Sequence, residues 1–267
     1  MKNVLQHALT KIKEAKIETD IPGYPYFSVD GIFPEDYYLE LVSVHKNMQM
    51  QNFKQLSKNY TNRYVYDLNS GENANSKRND FSDLSFKERV FWLNFQNTFL
   101  VDDVFKNAFL QKYENHIDFP YPQFMSSTCR LQRDFKGYKI GPHRDNLDKI
   151  FSVMIYTPTI EMDEELLEDH GTAICIPKFD DAEKVPMKEG HVGSGSNRHF
   201  LFEEVDIVRT AKAKPNNLFS WAVADRSYHA VTPLKSELVR STIAYFVKVP
   251  KNVMHLHKLY GWDNFKC

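Results

Sequence analysis

Cysteine is scarce in this chain of 267 residues, and no long apolar run is present. The three cysteines, Cys129, Cys175 and Cys267, are odd in number and widely spaced, which argues against a disulfide framework and against a cysteine-based zinc site. No apolar segment approaches the roughly 20 residues that cross a bilayer. The first residues are polar and charged, unlike the apolar core of a secretory signal. We therefore expect a cytoplasmic protein without a membrane partner.

An excess of one charge is also missing. Lys and Arg number 34 against 35 Asp and Glu, so the formal net charge is -1 at pH 7. This balance gives no reason to expect a nucleic-acid partner. With 42% hydrophobic residues, among them 20 Phe and 14 Tyr, the chain can build a large packed core. We expect a single domain over residues 1–267, and the sequence leaves its oligomeric state open.

Residues 1–120 carry mainly helical patterns and are predicted to be a supporting region. Apolar residues recur at helical spacing in the first segment: Leu5, Ala8, Ile12 and Ala15. Further helices are predicted after Pro34, from the capping box of Ser85 and Glu88 through Phe99, and over about residues 104–116. A short strand is predicted near 26–29. Residues 51–82 are polar and predict a long excursion over the surface or around a site.

Residues 121–250 change to short β-rich runs separated by turn residues. Strands are predicted at 127–133, 138–142, 150–156, 173–176, 199–202, 217–221, 228–231 and 241–249. Such a series is typical of a sandwich, a barrel or a jelly roll. The glycine-rich segment 180–197 is a candidate for a mobile loop over a site. Residues 251–267 are predicted to be a C-terminal extension.

The pair His143 and Asp145 carries the chemistry of this region. Side chains two residues apart on a strand point to the same face, so this imidazole and this carboxylate can bind one metal together. His229, from a distant strand, can complete a set of two imidazoles and one carboxylate. That set is typical of non-haem Fe(II) with open positions for substrate and O2. Each residue alone also fits a simpler interpretation, a surface turn for the pair and a half-buried histidine for His229.

At these positions the sequence resembles the 2-oxoglutarate/Fe(II)-dependent oxygenases, and its segment around residues 137–156 resembles their prolyl-hydroxylase-like branch. The motif of that family is His-X-Asp, a distal His, and an Arg or Lys about ten residues further, often followed by Ser or Thr. Here it corresponds to His143-Arg144-Asp145, His229 and Arg240-Ser241-Thr242. The resemblance covers roughly residues 124–248. It implies an α+β protein with a mainly β core, a double-stranded β-helix (a cupin-like jelly roll) with N-terminal helices packed on it.

The resemblance also implies roles for individual residues. His143, Asp145 and His229 would be the metal ligands and the catalytic centre. Arg240 would bind the far carboxylate of 2-oxoglutarate through its planar guanidinium, and Thr242, on the same strand face, would add a hydrogen bond. Tyr156 stands where related enzymes place a tyrosine against that carboxylate, and Tyr138 is a second candidate. Either tyrosine also fits a purely packed aromatic.

The implied function is oxidation of a C–H bond, with Fe(II), 2-oxoglutarate and O2 as cofactor and cosubstrates and ascorbate as a candidate reductant. Retention of Asp145 favours hydroxylation over halogenation, because halogenating members of the family lack this carboxylate. We expect a small-molecule substrate, such as an amino acid or a sugar-linked metabolite. Three alternatives remain open at this point: a protein prolyl hydroxylase, a non-catalytic metal- or sugar-binding jelly roll, and a zinc hydrolase using the same ligands.

Overall fold

The computed structural model describes residues 1–56, 60–70, 77–101, 103–116, 125–146, 148–158, 161–181, 184–192, 198–224 and 226–249. The predicted C-terminal extension, residues 251–267, and part of the predicted mobile loop, residues 182–183 and 193–197, lie outside these ranges. No helix within the described ranges has both the length and the apolar character needed to span a bilayer.

The four predicted N-terminal helices are confirmed. The helices of the described ranges are α1 (Lys2–Glu14), α2 (Glu35–Asn47), α3 (Phe86–Phe99), α4 (Val104–Tyr113) and α5 (Glu164–Asp169). The predicted capping box at α3 is present, because the Ser85 hydroxyl accepts from the Glu88 backbone N–H and the Glu88 carboxylate accepts from the Ser85 N–H at 3.0 Å. The short helix α5 is an addition that the sequence patterns did not indicate.

Two antiparallel sheets form the rest of the fold. The strands are β1 (Tyr26–Asp30), β2 (Lys54–Gln55), β3 (Arg63–Ser70), β4 (Lys77–Arg78), β5 (Ser126–Asp134), β6 (Ile140–His143), β7 (Lys149–Tyr156), β8 (Thr172–Pro177), β9 (Val205–Ala211), β10 (Asn217–Ala222), β11 (Tyr228–Val231) and β12 (Arg240–Lys248). The larger sheet has the order β1-β10-β7-β12-β5-β3-β2, with β4 on β3, and the smaller has the order β6-β11-β8-β9.

The chain path from β5 to β12 defines the architecture. Strands β5, β7, β10 and β12 belong to the larger sheet, and β6, β8, β9 and β11 belong to the smaller one. The chain therefore passes from one sheet to the other at almost every connection. Eight strands divided in this way form a jelly roll, and the predicted double-stranded β-helix is confirmed.

The larger sheet is buried on both faces. Its outer face packs against the N-terminal helices, as in the contact of Phe109 on α4 with Phe151 on β7, whose ring centroids are 5.2 Å apart. Its inner face carries a second cluster, which includes Tyr156, Trp221 and Phe246. Because side chains alternate along each strand, β12 contributes Tyr245 to the outer cluster and Phe246 to the inner one. Arg240, six residues before Phe246 on β12, therefore lies on this inner face as well.

Two predictions about local structure were wrong. The polar segment 51–82 contains the eight-residue strand β3, which pairs with β5. Its buried residues include Tyr66 and Leu68. No strand was predicted from them, because polar residues lie on either side in the sequence. The predicted strand at 199–202 is also absent. The strand of this region is β9, which begins at Val205 and has mostly exposed side chains because it lies at the edge of the smaller sheet.

Candidate metal centre and active site

His143 and His229 are direct cross-strand neighbours in the smaller sheet. His143 ends β6 and His229 lies in β11, and their Cα atoms are paired in the antiparallel register. Neighbours of this kind point to the same side of the sheet, and the two ring centroids are 4.4 Å apart. Strand pairing thus brings together two imidazoles that are 86 positions apart in the chain.

Asp145 completes the group from the segment that follows β6. Its Oδ2 lies 3.8 Å from Nε2 of His229, and one ligand atom from each of the three residues lies within 4.8 Å of the others. All three side chains are buried, with 8% of His143, 5% of Asp145 and 6% of His229 exposed. Neighbouring ligand atoms at about 2.1 Å from an octahedral metal lie about 3 Å apart. Metal binding therefore requires the three side chains to move inward by about 1 Å.

The hydrogen bonds of the two imidazoles fit a metal site. Nδ1 of His143 donates to the carbonyl of Gly141 at 2.9 Å, and Nδ1 of His229 donates to the carbonyl of Ser227 at 3.1 Å. Both rings therefore present the lone pair of Nε2 toward Asp145, which is the usual arrangement around metal-binding histidines. Burial lowers the pKa of His143 and of His229, so both imidazoles stay neutral, as a metal ligand must.

Two residues of β7 hold the Asp145 carboxylate. The Ser152 hydroxyl donates to Oδ2 at 2.6 Å, and the Lys149 ammonium contacts Oδ1. Burial alone would raise the pKa of Asp145, but the charge of Lys149 is the main influence that holds this pKa well below its ordinary value. The carboxylate is therefore ionised and fixed in orientation before any metal binds. No sequence pattern singled out Lys149 or Ser152.

A further histidine lies against the three ligands. His199 stacks on His143 with a centroid distance of 4.5 Å and an interplanar angle of 25°. Burial lowers the pKa of His199 to about 4, and its ring is in turn 6.0 Å from that of Tyr60. His199 and Tyr60 form part of the cavity wall, although neither belongs to the group of three ligands. The sequence analysis assigned neither His199 nor Tyr60 to the site.

The three ligands open into a cavity of about 460 Å³ between the two sheets. Its described lining contains six basic side chains and one acidic one, so the wall is strongly positive. The basic side chains are Arg63, Arg130, Arg144, Lys149, Arg240 and Lys248, and the acidic one is Asp145. Such a cavity attracts anions.

Arg240 is fixed by three acceptors at one end of this cavity. Its Nε donates to the carbonyl of His170 at 2.6 Å, NH1 donates to Asp134 at 2.8 Å and NH2 donates to the Thr172 hydroxyl at 3.3 Å. Only 1% of the side chain is exposed. A guanidinium has five N–H groups, so two remain for a ligand in the cavity. The predicted position of Arg240 at the site agrees with this geometry.

A second arginine, which sequence reasoning missed, lies beside Arg240. Arg63 on β3 donates to both oxygens of Asp134, at 2.6 and 2.7 Å, and also lines the cavity. Asp134 thus stands between two guanidinium groups, and the three side chains together carry a net charge of +1. The segment that contains β3 had been predicted as an excursion over the surface or around a site, and its polar composition did not single out Arg63.

The other three predicted cofactor residues lie behind the cavity wall. The Thr242 hydroxyl donates to Gln132 at 3.2 Å, and the Tyr156 hydroxyl donates to Thr172 at 2.7 Å. Tyr138 packs under Arg63, whose guanidinium carbon is 4.2 Å from the ring centroid. The structure therefore brings Arg240 to the cavity, but it places Thr242, Tyr156 and Tyr138 in contact with lining residues rather than in the lining itself.

Comparisons with known proteins give structural similarity only. No family model matches the chain. No curated protein matches it either.

Several solved structures are similar to this chain at low sequence identity. An oxidoreductase of the 2OG-Fe(II) oxygenase family from Burkholderia pseudomallei is 12% identical, with a TM-score of 0.47 over 91% of this chain and 89% of the other. A prolyl-4-hydroxylase from Pseudomonas putida is 9% identical, with a TM-score of 0.48 over 91% and 98%. HygX from Streptomyces hygroscopicus, with nickel and 2-oxoglutarate bound, is 10% identical, with a TM-score of 0.46 over 85% and 83%.

Proposed function

We propose that the protein is an Fe(II)- and 2-oxoglutarate-dependent dioxygenase that hydroxylates a C–H bond of a small molecule, forming succinate and CO2 from the cosubstrate. The observation that carries this proposal is the presence of His143, Asp145 and His229 in the same cavity as Arg240. Two imidazoles and one carboxylate suit Fe(II) and leave positions open, and the guanidinium suits the far carboxylate of a dicarboxylic acid.

Hydrogen bonds that hold the three proposed ligands in place support this function. The carbonyls of Gly141 and Ser227 fix the orientation and tautomer of the two imidazoles. Ser152 fixes the carboxylate of Asp145. Bound iron would supply the activation of O2, coupled to the loss of CO2 from 2-oxoglutarate. The buried position between two sheets excludes bulk water from the reacting groups.

The far end of the cavity is suited to the second carboxylate of the cosubstrate. Arg240, Arg63 and Asp134 leave a net charge of +1, which one carboxylate would neutralise. Thr172 lines the cavity, and its hydroxyl lies within hydrogen-bond distance of Arg240 at 3.3 Å and of the Tyr156 hydroxyl at 2.7 Å. We infer that Thr172, rather than Thr242, provides the hydroxyl that assists Arg240. Tyr156 then acts through Thr172 as a positioning residue.

A small-molecule substrate is supported by the size of the cavity. A volume of about 460 Å³ lies within the range of pockets that enclose small ligands, which is roughly 300–1,000 Å³. The cosubstrate would occupy part of this volume, so the remaining space suits a metabolite such as an amino acid.

Conversion of 2-oxoglutarate to succinate tests the proposal directly. The purified protein is incubated with Fe(II), ascorbate and 2-oxoglutarate under air, and succinate is measured. We expect slow succinate formation without any added substrate, and none when Fe(II) is omitted or when the Asp145→Ala variant is used. A protein that binds neither Co(II) nor 2-oxoglutarate and forms no succinate would instead support a non-catalytic jelly roll. Metal binding with hydrolysis of model esters and no succinate would support a zinc hydrolase.

A further inference from the structure

Arg130 is a basic residue of the cavity wall to which the proposed function assigns no task. It lies on the inner face of β5, between its cross-strand neighbours Ala244 on β12 and Asp67 on β3. Its guanidinium carbon is 5.0 Å from the ring centroid of Phe246. The side chain is partly exposed to the cavity, while its Nε is buried and has no hydrogen-bond partner.

Arg130 also lacks a carboxylate partner among the described residues, although acidic groups are nearby. Asp67, its neighbour on β3, contacts Lys54 at 2.5 Å instead. Burial lowers the pKa of Arg130, whereas the negative charges of Asp67 and Asp145 raise it by smaller amounts. A guanidinium in such a place is more stable when an anion pairs with it.

Most other basic residues of the wall differ from Arg130, because each contacts a carboxylate. Arg63 and Arg240 contact Asp134, Lys149 contacts Asp145, and Lys248 lies 3.4 Å from Asp148. Their charges are therefore partly neutralised within the protein. Among these five basic residues, Arg130 therefore has the charge that the protein compensates least. An anion that enters the cavity from solution meets this charge.

The strand register separates Arg130 from the position proposed for the cosubstrate. Arg240 pairs with Asp134 and Ala244 pairs with Arg130, so Arg240 lies four residues from the level of Arg130, or about 13 Å along the strands. Asp145 is bonded to Ser152 on β7, and β5 lies two strands from β7 across the sheet, or about 10 Å away. Arg240 is therefore displaced from the candidate metal ligands along the strand direction, whereas Arg130 is displaced from them across the sheet.

We propose that the substrate of this site is a small molecule with a carboxylate group and that Arg130 binds this carboxylate. The proposal rests on the proposed function, since it assumes that Arg240 is occupied by the cosubstrate. The planar guanidinium can form two parallel hydrogen bonds to a carboxylate, which would fix the orientation of the substrate relative to the metal. Phe246 beneath the guanidinium limits the angles from which that carboxylate approaches. Arg130 is then a specificity-determining residue.

Acetate and its neutral analogue acetamide provide a test that does not require knowledge of the substrate. The protein is loaded with Co(II) and saturating 2-oxoglutarate, and the relaxation of the methyl protons of each probe is measured during a titration. We expect saturable enhancement of relaxation by Co(II) for acetate and at least tenfold weaker binding of acetamide. The Arg130→Met variant should bind acetate at least tenfold more weakly, with an unchanged Kd for 2-oxoglutarate.

Two further variants make the result specific. Arg130→Gln, which keeps a polar but shorter and uncharged side chain, replaces Arg130→Met if the latter does not fold by circular dichroism. Arg209→Met removes an exposed arginine that pairs with Asp20 on the outside of the protein, and it should leave acetate binding unchanged. The proposal is overturned if acetate does not bind near Co(II), if acetamide binds equally well, or if the Arg130 variants bind acetate as the original chain does.

Two other experimental outcomes would lead to different conclusions. An increase in the Kd of 2-oxoglutarate in the Arg130 variants would assign Arg130 to the cosubstrate and would also overturn the proposal. Failure of the unaltered chain to bind Co(II) and 2-oxoglutarate would contradict the proposed function itself, because this step precedes any addition of acetate.

Discussion

The carboxylate of Asp134 lies 2.8 Å from the guanidinium of Arg240, and neither side chain has more than 1% of its surface exposed. Arg63 contacts the same carboxylate from β3 at 2.6 Å. Asp134 therefore has two functions in the fold. It stabilises two buried positive charges, and it fixes the direction in which Arg240 presents its remaining N–H groups to the cavity.

Replacing Asp134 with Asn should be strongly destabilising. The amide keeps the shape of the carboxylate but leaves two buried guanidinium groups without a negative charge, a change that typically costs about 3–5 kcal/mol. Urea unfolding followed by circular dichroism measures the difference. Asp20→Asn is the matched control, because Asp20 pairs with Arg209 at 2.9 Å but about half of each side chain is exposed. We expect the control to cost less than about 1 kcal/mol. Equal effects of the two variants would contradict the importance assigned to Asp134.

The two threonines near Arg240 should differ in their effect on the cosubstrate. Thr172→Val removes a hydroxyl that lines the cavity beside Arg240, and the loss of about one hydrogen bond to a charged group should raise the Kd of 2-oxoglutarate about tenfold. Thr242→Val removes a hydroxyl that already donates to Gln132, and it should change this Kd less than about threefold. Titration of each Co(II)-loaded variant with 2-oxoglutarate measures both values. A larger effect at Thr242 would restore the role that the sequence motif implied for it.

Metal affinity should depend on Asp145 and also on the hydrogen bond from Ser152 that holds its carboxylate in place. Asp145→Ala removes a ligand and should abolish tight Co(II) binding. Ser152→Ala removes only the 2.6 Å hydrogen bond to that ligand, and it should weaken Co(II) binding about tenfold, as the loss of a supporting contact usually does. His199→Ala is the control, because its ring stacks on His143 without belonging to the ligand group. Calorimetric titration with Co(II) would contradict the assignment if His199→Ala weakened binding as much as Asp145→Ala.

Strand patterns predicted a sandwich, a barrel or a jelly roll, and the resemblance to the oxygenase motif implied the jelly roll and the residues that converge on the candidate metal site. The strand period of two predicted that His143 and Asp145 lie together, although β6 ends at His143 and Asp145 follows it. The same alternation puts Arg240 on the inner face of β12. The residues that support them were not predictable in this way. Arg63 reaches Arg240 through Asp134 only because β3 pairs with β5, and β3 lies in a segment whose overall composition is polar. Thr172 and Ser152 have ordinary strand-forming neighbours, so only the packing of the two sheets identifies them as contacts of the site.

Acid should destabilise the fold through His45, a buried residue of α2 that lies outside the active site. Only 1% of its side chain is exposed, its Nε2 has no hydrogen-bond partner among the described residues, and burial lowers its pKa to about 3. In the unfolded chain a histidine has a pKa of about 6.5, so the unfolded state takes up the proton first. The stabilisation is therefore complete above about pH 6.5 and is lost progressively as the pH falls toward 3.

Between pH 7 and pH 5 this single histidine should reduce the free energy of unfolding by about 2 kcal/mol. His45→Gln has no group that titrates in this range and keeps a polar side chain near Thr157, the present partner of Nδ1 at 3.3 Å. Urea unfolding of the metal-free chain and of the variant at both pH values gives the comparison, in which the contributions of the other histidines cancel. We expect the variant to lose about 2 kcal/mol less than the original chain on going from pH 7 to pH 5. An identical pH dependence for the two proteins would show that His45 is protonated in the folded state at its ordinary pKa, contrary to its burial between Phe53 and Trp92.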